Sequence, residues 1–329
     1  MTPEVSVIIP TWNRRAMVRE AIASVLEQTG ARFELIVIDD GSTDGTLDDL
    51  KSLAAGAREN PIIIESIAHS GPAAARNRGV ELACAPLIAF LDSDDRWRAG
   101  KLERQFAFMR EHPECAISQT QELWMRDGRR VNPGRRHLKR GGDIFIDSLR
   151  VCLISPSAAM MRTELFRSKG GFDPSMAACE DYDLWLRILI DHEAGLLDEE
   201  ALVERRGGHP DQLSATTPAL DRFRILALAK LLAHERLSDA RRDAVSAVLA
   251  EKCLIHAKGL ARRSRIEDAA FFEHVADRAM SSERLPPEML GEIRHRINLT
   301  PSPSPERRGE PGAEYSPFPD REGGQGVRL

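Results

Sequence analysis

Cysteine is scarce. The 329 residues contain five, Cys84, Cys115, Cys152, Cys179 and Cys253, widely spaced, odd in number and without a C-x-x-C pair. No disulfide framework is implied, and a reduced cytoplasm fits best. An excess of charge of one sign is also lacking: a formal net charge of −5 over this length implies neither general nucleic-acid binding nor an acidic tail, so local clusters matter more than the sum. No stretch approaches the ~18 apolar residues that read as a membrane span. The chain enters a strand pattern at Val5 with no basic n-region or apolar h-region before it, so neither export nor membrane insertion is expected. No fixed-period repeat is clear. What remains is a globular protein of one large or two ordinary domains, with 42% hydrophobic residues, enough for a sizeable core.

What is present is alternation. Residues 5–10 (VSVIIP), 33–40 (FELIVIDD), 62–67 (IIIESI) and 87–91 (LIAFL) are short apolar runs, the pattern of central strands covered on both faces. Helical patterns stand between them, the first carrying Met17, Val18, Ile22, Val25 and Leu26, another spanning 71–83 with Arg76, Asn77 and Arg78 near its start. Four strands with short right-handed crossovers predict an α/β fold with a parallel, Rossmann-like sheet. The alternation then ends. Residues 101–111 read as helix and 116–125 as extended; 127–140 is an Arg, Gly and Pro loop without periodicity, expected to be mobile. A short helix near 144–149, a strand at 157–162, a turn at 170–173, a helix at 180–191, an extended segment at 202–205 and a Gly-Pro loop at 206–214 come next.

Two strands deliver carboxylates to their C-terminal ends, the edge at which open α/β sheets bind ligands. Asp39 and Asp40 end the second; Asp92, Ser93, Asp94 and Asp95 end the fourth. Three carboxylates in four residues repel one another unless a divalent metal, a basic ligand or N–H donors neutralise them. An Asx-rich turn capping a helix that starts near Trp97 accounts for them equally well. On the 180–191 helix, Asp181 shares a face with Trp185 and Ile188, which makes it a candidate base. The alternative is that Glu180 and Asp181 simply cap the helix.

Residues 220–297 read as helices only, with Leu220, Phe223, Ala227 and Leu231, and then Ala247, Leu254 and Ala257, at helical spacing. Residues 299–329 are rich in Pro, Gly, Ser and charge, cannot bury a core and are expected to be disordered. The organisation read from the chain is an α/β domain at 1–215, an all-helical region at 216–298 and a tail at 299–329.

VSVIIPTWNR, IVIDDGSTDGT, GPAAARNRG, FLDSDDRW, GGFD and EDYDLWLRI stand in the order and approximate spacing of the family 2 inverting nucleotide-sugar glycosyltransferases of GT-A fold, which the chain resembles from Val5 to Ser214. The resemblance implies a nucleoside site at Pro10, Thr11, Asn13 and Asp39, where an aspartate suits an imide N–H such as uracil's. It sets Arg76 along the diphosphate, Asp92 and Ser93 in the nucleotide-sugar site, and Asp94 on Mg²⁺ or Mn²⁺, hard cations that take oxygen ligands. It makes Asp181 the general base, with Asp40, Asp95 and Glu180 as supporting residues and His209 as a late-chain ligand to the metal.

The same resemblance implies transfer of one sugar from a nucleoside-diphosphate sugar to a carbohydrate or lipid-linked acceptor, in the cytoplasm or at the inner face of the membrane. The basic run Arg129, Arg130, Arg135, Arg136, Lys139 and Arg140 either grips an anionic acceptor or is a solvated loop. Arg222, Arg224, Lys230, Arg262, Arg263 and Arg265 beside apolar stripes permit peripheral contact with anionic lipid; helix packing or a homo-oligomer is the other use. A sugar-phosphate nucleotidyltransferase, which needs no base after GGFD, and a non-catalytic nucleotide-sugar module are the alternative readings.

Overall fold

The computed structural model describes residues 2–56, 62–209, 212, 217, 219–234, 236–281 and 285–298. The 299–329 tail, and residues 210, 211, 213 and 214 of the Gly-Pro loop, lie outside the described residues. The apolar runs become strands β1 (Val5–Thr11), β2 (Phe33–Asp39), β3 (Ile62–Ser66) and β4 (Leu87–Phe90). Between them run helices α1 (Arg15–Leu26), α2 (Thr46–Gly56) and α3 (Pro72–Leu82). β1 pairs in parallel with β2 and β4, and β2 with β3, so the C-terminal ends of these strands share one edge.

The sheet is not a plain Rossmann sheet. It has nine strands in the order β3-β2-β1-β4-β8-β6-β9-β5, with β7 added on β6. β8 (Ala159–Arg162) lies antiparallel to β4 and to β6 (Ile117–Arg126). β9 (Ala194–Gly207) runs parallel to β6, with register shifts at Thr120, Gln121 and Glu122; such bulges bend a strand and increase its twist. β9 is far longer than the extended segment expected at 202–205. Its central Asp198, Glu199 and Glu200 are exposed, which hid the strand from an apolar pattern. The helix expected near Trp97 is also corrected. Arg96 and Trp97 form β5, antiparallel to β9, and the helix, α4 (Lys101–Glu111), begins four residues on. The loop expected at 127–140 instead opens with a hairpin: β7 (Arg129–Val131) folds back on β6 through Asp127 and Gly128, both at positive φ. A short 3₁₀ turn stands at Arg135–His137.

Strand alternation sends neighbouring residues to opposite faces and so builds two layers. Val5, Val7 and Ile9 join Val18, Ile22, Val25 and Trp97 on one side. Ile8, Ile36, Ile88 and Phe90 face the other, with α3, α6 (Thr163–Ser168) and α7 (Glu180–Leu189); the short α5 (Phe145–Ser148) adds Phe145 there. α3 comes so close to β1 that a Cβ on Gly79 would lie 2.4 Å from Ile8 Cγ2.

Four helices complete the described chain: α8 (Asp221–Leu232), α9 (Asp239–Ala261), α10 (Ile266–Met280) and α11 (Pro287–Asn298). Their apolar faces join the same cluster as α7. On α9 the buried face is Val245, Leu249, Cys253 and Leu260, while Ala247 and Leu254 are exposed. In so alanine-rich a helix the spacing at 247, 254 and 257 did not single out the core face. Four of the six basic residues expected beside apolar stripes are engaged within the chain. Arg224 and Arg265 pair with Asp221 and Asp268, Lys230 with Asp173 and Asp183, and Arg222 lies over the Phe223 ring. Among the described residues no helix is long and apolar enough to cross a membrane.

Candidate active site

The C-terminal edge of β1, β2 and β4 gathers the expected residues. Leaving β1, the chain passes Pro10 and Thr11 and turns at Asn13, whose φ of 50° is left-handed, a conformation asparagine tolerates better than most side chains. Asn13 Oδ1 accepts from Thr43 N at 2.8 Å, and Asn13 N donates to Ser42 Oγ at 2.8 Å. The loops after β1 and β2 are thereby tied together. Asp39, fully buried, accepts through Oδ2 from Ser66 Oγ at 2.9 Å and from Ser42 N at 3.2 Å. Its Oδ1 is buried without a partner, as is Thr11 Oγ1. A buried carboxylate oxygen left unsatisfied costs ~1–3 kcal/mol, and among the described residues none supplies a donor to Asp39 Oδ1. Asp40 looks the other way: it accepts from Ser70 N at 2.7 Å and Gly71 N at 2.9 Å and meets His69 Nδ1 at 2.8 Å. It anchors the entry to α3.

Asp92, Asp94 and Asp95 each place a carboxylate oxygen within 4.8 Å of the others'. Asp94 Oδ2 lies 2.9 Å from His209 Nε2 and 2.7 Å from Arg14 NH1. Burial works to raise its pKa, but the His209 hydrogen bond and the Arg14 charge hold it below the usual carboxylate range. Asp95 differs. Burial, with Asp94 and Asp92 adding their charge, pushes its pKa well up, and both its oxygens are engaged, with Ser157 Oγ at 2.6 Å and Arg206 N at 2.9 Å. Ser157 Oγ also accepts from Asp92 N at 3.1 Å, so one hydroxyl holds both ends of the turn. Ser93 is buried in it.

These oxygens suit a hard divalent cation. Asp92, Asp94 and Asp95 together form a group that could hold one, with His209 beside Asp94. Arg76 is buried beside the cluster: NH2 donates to Asp92 at 2.7 Å and NH1 to Glu180 at 2.7 Å. Glu180, also buried, has its pKa raised by burial against the opposing charge of Arg76. This buried bridge joins the end of β4 to the first turn of α7, where Asp181 is only half-buried. Asp181 Oδ1 accepts from Tyr182 N at 2.7 Å, and its Oδ2 lies 3.6 Å from Cys152 Sγ.

The sequence pattern did not single out Arg14, Ser157, Arg205 or Arg206. Arg205 stands above Trp124 at 4.9 Å; burial works to lower its pKa, but the charge of Glu122, and after it those of Asp95, Asp92 and Asp181, raise it. A concavity of about 370 Å³ lined by Phe108, His112, Cys115, His192 and Gly195 opens at the N-terminal ends of β6 and β9, the sheet edge opposite these acids.

A model described as "Glycosyl transferase family 2" matches residues 6–169. The putative glycosyltransferase EpsE of Bacillus subtilis is 31% identical over 210 residues, covering 62% of this chain and 73% of that protein. The putative teichuronic acid biosynthesis glycosyltransferase TuaG of the same organism is 43% identical over 128 residues, 38% of this chain and 50% of that protein. An uncharacterized glycosyltransferase of Rickettsia felis is 34% identical over 211 residues, 62% of this chain but 33% of that protein. The chain thus spans between a third and a half of the length of several relatives it matches. Among solved structures, S. aureus TarS 1–349 in complex with UDP-GlcNAc aligns at TM-score 0.58 and 18% identity, over 86% of this chain and 93% of that one. The mannosyltransferase PcManGT from Pyrobaculum calidifontis in complex with GDP-Man and Mn²⁺ aligns at 0.53 and 19%, over 91% and 81%. At these identities the likeness is one of fold, a GT-A-like mixed sheet followed by helices. Taken with the family match and the relatives, the chain belongs to glycosyltransferase family 2.

Proposed function

We propose that the protein transfers one sugar, with inversion, from a nucleoside-diphosphate sugar to an acceptor hydroxyl in glycan, polysaccharide or glycolipid synthesis on the cytoplasmic side of the membrane. One observation carries this reading. A partnerless buried acceptor (Asp39 Oδ1), a carboxylate cluster within 4.8 Å and the helix-leading Asp181 stand on one sheet edge, the last two joined through Arg76 and Glu180. Asp39 Oδ1 suits an imide N–H, which favours a uridine nucleotide. Asp92 and Asp94, with His209, would hold Mg²⁺ or Mn²⁺, which supplies Lewis-acid stabilisation of charge on the departing diphosphate.

The chain's own part is proton transfer and alignment. Asp181 takes the proton of the acceptor hydroxyl as that oxygen bonds to the anomeric carbon and the bond to the diphosphate oxygen breaks on the opposite face. A single in-line displacement inverts the configuration. Asp95 and Ser157 hold the acidic turn in shape, and Asn13 clips the two nucleoside loops together. A thermal-shift series of UDP, GDP, dTDP and CDP and their sugars, each with Mn²⁺ and with chelator, tests the donor site, because a ligand that binds only the folded state raises the melting temperature by mass action. The expected result is a metal-dependent rise with UDP and its sugars. The absence of any rise in a folded sample would refute the donor site.

A further inference from the structure

Directly opposed residues on neighbouring strands share a face. Trp124 of β6 opposes Arg205 of β9 and Val131 of β7, and Arg126 opposes Gly207 and Arg129. Trp124, Arg126, Arg129 and Arg205 therefore lie on one face of the β7-β6-β9 extension. The side chains agree with the register: Arg205 stands over Trp124 at 4.9 Å, and the His137 ring lies 5.5 Å from the same indole. This face adjoins the acidic edge. A Cβ on Gly208, next to His209, would lie 2.9 Å from Arg126 Cγ, and Arg205 is within electrostatic reach of Asp181.

The local charge is lopsided. Glu122 is buried on this face between Lys139 Nζ at 3.3 Å, Trp124 Nε1 at 3.1 Å and Arg205 NH1 at 3.8 Å, and Ser155 Oγ donates to it. Lys139 is thus held in the interior and is not open to a ligand. Burial, with the charges of Arg136, Arg205, Arg224 and Lys139, lowers the pKa of His137. Arg126, Arg129, Arg130 and Arg135 are exposed and form no salt bridge with any described carboxylate. A merely solvated loop has no need to fold as a hairpin onto the metal-side loop or to set an indole and an imidazole among its arginines. Arginine prongs beside an aromatic platform match a saccharide that bears negative charge.

We propose that this face, around Trp124, Arg126, Arg129 and Arg205, receives the acceptor, and that the acceptor is a saccharide carrying anionic groups, phosphate or carboxylate. This rests on the glycosyl-transfer reading above and names the substrate class of its second half. Affinity electrophoresis tests it on the full chain saturated with UDP and Mn²⁺, so that the donor site is filled. The gels contain neutral dextran, phosphorylated dextran or hyaluronan, the last two separating phosphate from carboxylate. The expected result is retardation by at least one anionic polymer and not by dextran. Arg126→Ser/Arg129→Ser should weaken it roughly ten-fold, whereas Arg262→Ser/Arg263→Ser, an exposed basic pair on the helical region, should not. Equal retardation by dextran, no retardation by either anionic polymer, or equal loss in both double variants would overturn the proposal. The UDP-dependent melting shift, measured on the same samples, reports on the donor reading separately.

Discussion

Ser157 shows how much of this site is held by groups that never meet a ligand. Its hydroxyl donates to Asp95 across 62 residues of chain and accepts from the backbone N–H of Asp92, so the turn bearing Asp94 is fixed from below. Removing such an outer hydrogen bond typically costs ~10–100-fold in metal affinity. Ser157→Ala should therefore weaken Mn²⁺ binding by about that factor and, because it leaves the buried Asp95 Oδ2 and the Asp92 N–H without this partner, lower the melting temperature of the metal-free protein as well. A Mn²⁺ titration followed by electron paramagnetic resonance checks it; unchanged affinity would show that the turn holds itself. Asp181, the candidate base, stands at the other pole. Its replacement by Asn preserves size and removes the basic oxygen, so the UDP-dependent melting shift should survive while transfer falls ~10²–10⁴-fold. A variant with near-normal turnover would exclude Asp181 as the base. The acids were legible because carboxylates at strand ends and helix starts carry their own local signature. Ser157, Arg14 and Arg205 were not, because each enters the site through a partner distant in the chain.

Among elements, legibility follows burial. β1, β2 and β4 are buried throughout and read directly as apolar runs. β7 consists of Arg129, Arg130 and Val131, and nothing in it but its pairing with β6 makes it a strand. The bounds of α4 were legible, but the two-residue β5 was not, and neither was the burial of Lys101: it looks like a surface residue, yet it is fully buried with its Nζ over the Trp97 ring at 3.7 Å and no hydrogen-bond partner. Burial drives its pKa well below 10.5. The unfolded chain keeps the ordinary lysine value, so between the depressed value and 10.5 it binds more protons than the folded protein, and stability rises with pH across that window. Lys101→Met removes the penalty and keeps the stem packed over Trp97. It should stabilise the fold by ~1–3 kcal/mol near neutral pH, with the advantage over the parent shrinking as pH approaches 10.5. Melting curves of both proteins from pH 6 to 10 decide it; a destabilised variant would mean that the cation–π contact outweighs the cost of burial.

At the scale of the whole molecule, the helical region is less an appendage than a wall of the core. Its apolar residues belong to the same cluster as α7, and ion pairs cross the junction: Lys230 to Asp183 at 2.7 Å, Arg241 to Asp143 at 2.8 Å and Arg150 to Glu251 at 2.5 Å. α7 carries Asp181, so a change in how α8 packs on α7 is felt at the candidate base. The composition of 216–298 shows helices but not where they dock, because docking depends on which of several apolar faces meets the sheet. Two truncations distinguish this wall from the residues after it. Ending the chain at Asn298 keeps α11 whole and should leave melting temperature and nucleotide binding unchanged. Ending it at Pro286 removes α11, which buries Met289, Ile293 and Ile297. At ~1.5–3 kcal/mol per buried side chain the loss is about 5 kcal/mol or more, comparable to the whole stability of many domains. The shorter protein should be largely unfolded at 25 °C by circular dichroism, or lose its cooperative transition. If it instead melted like the parent, α11 would be a dispensable cover, and the core that steadies α7 would end at α10.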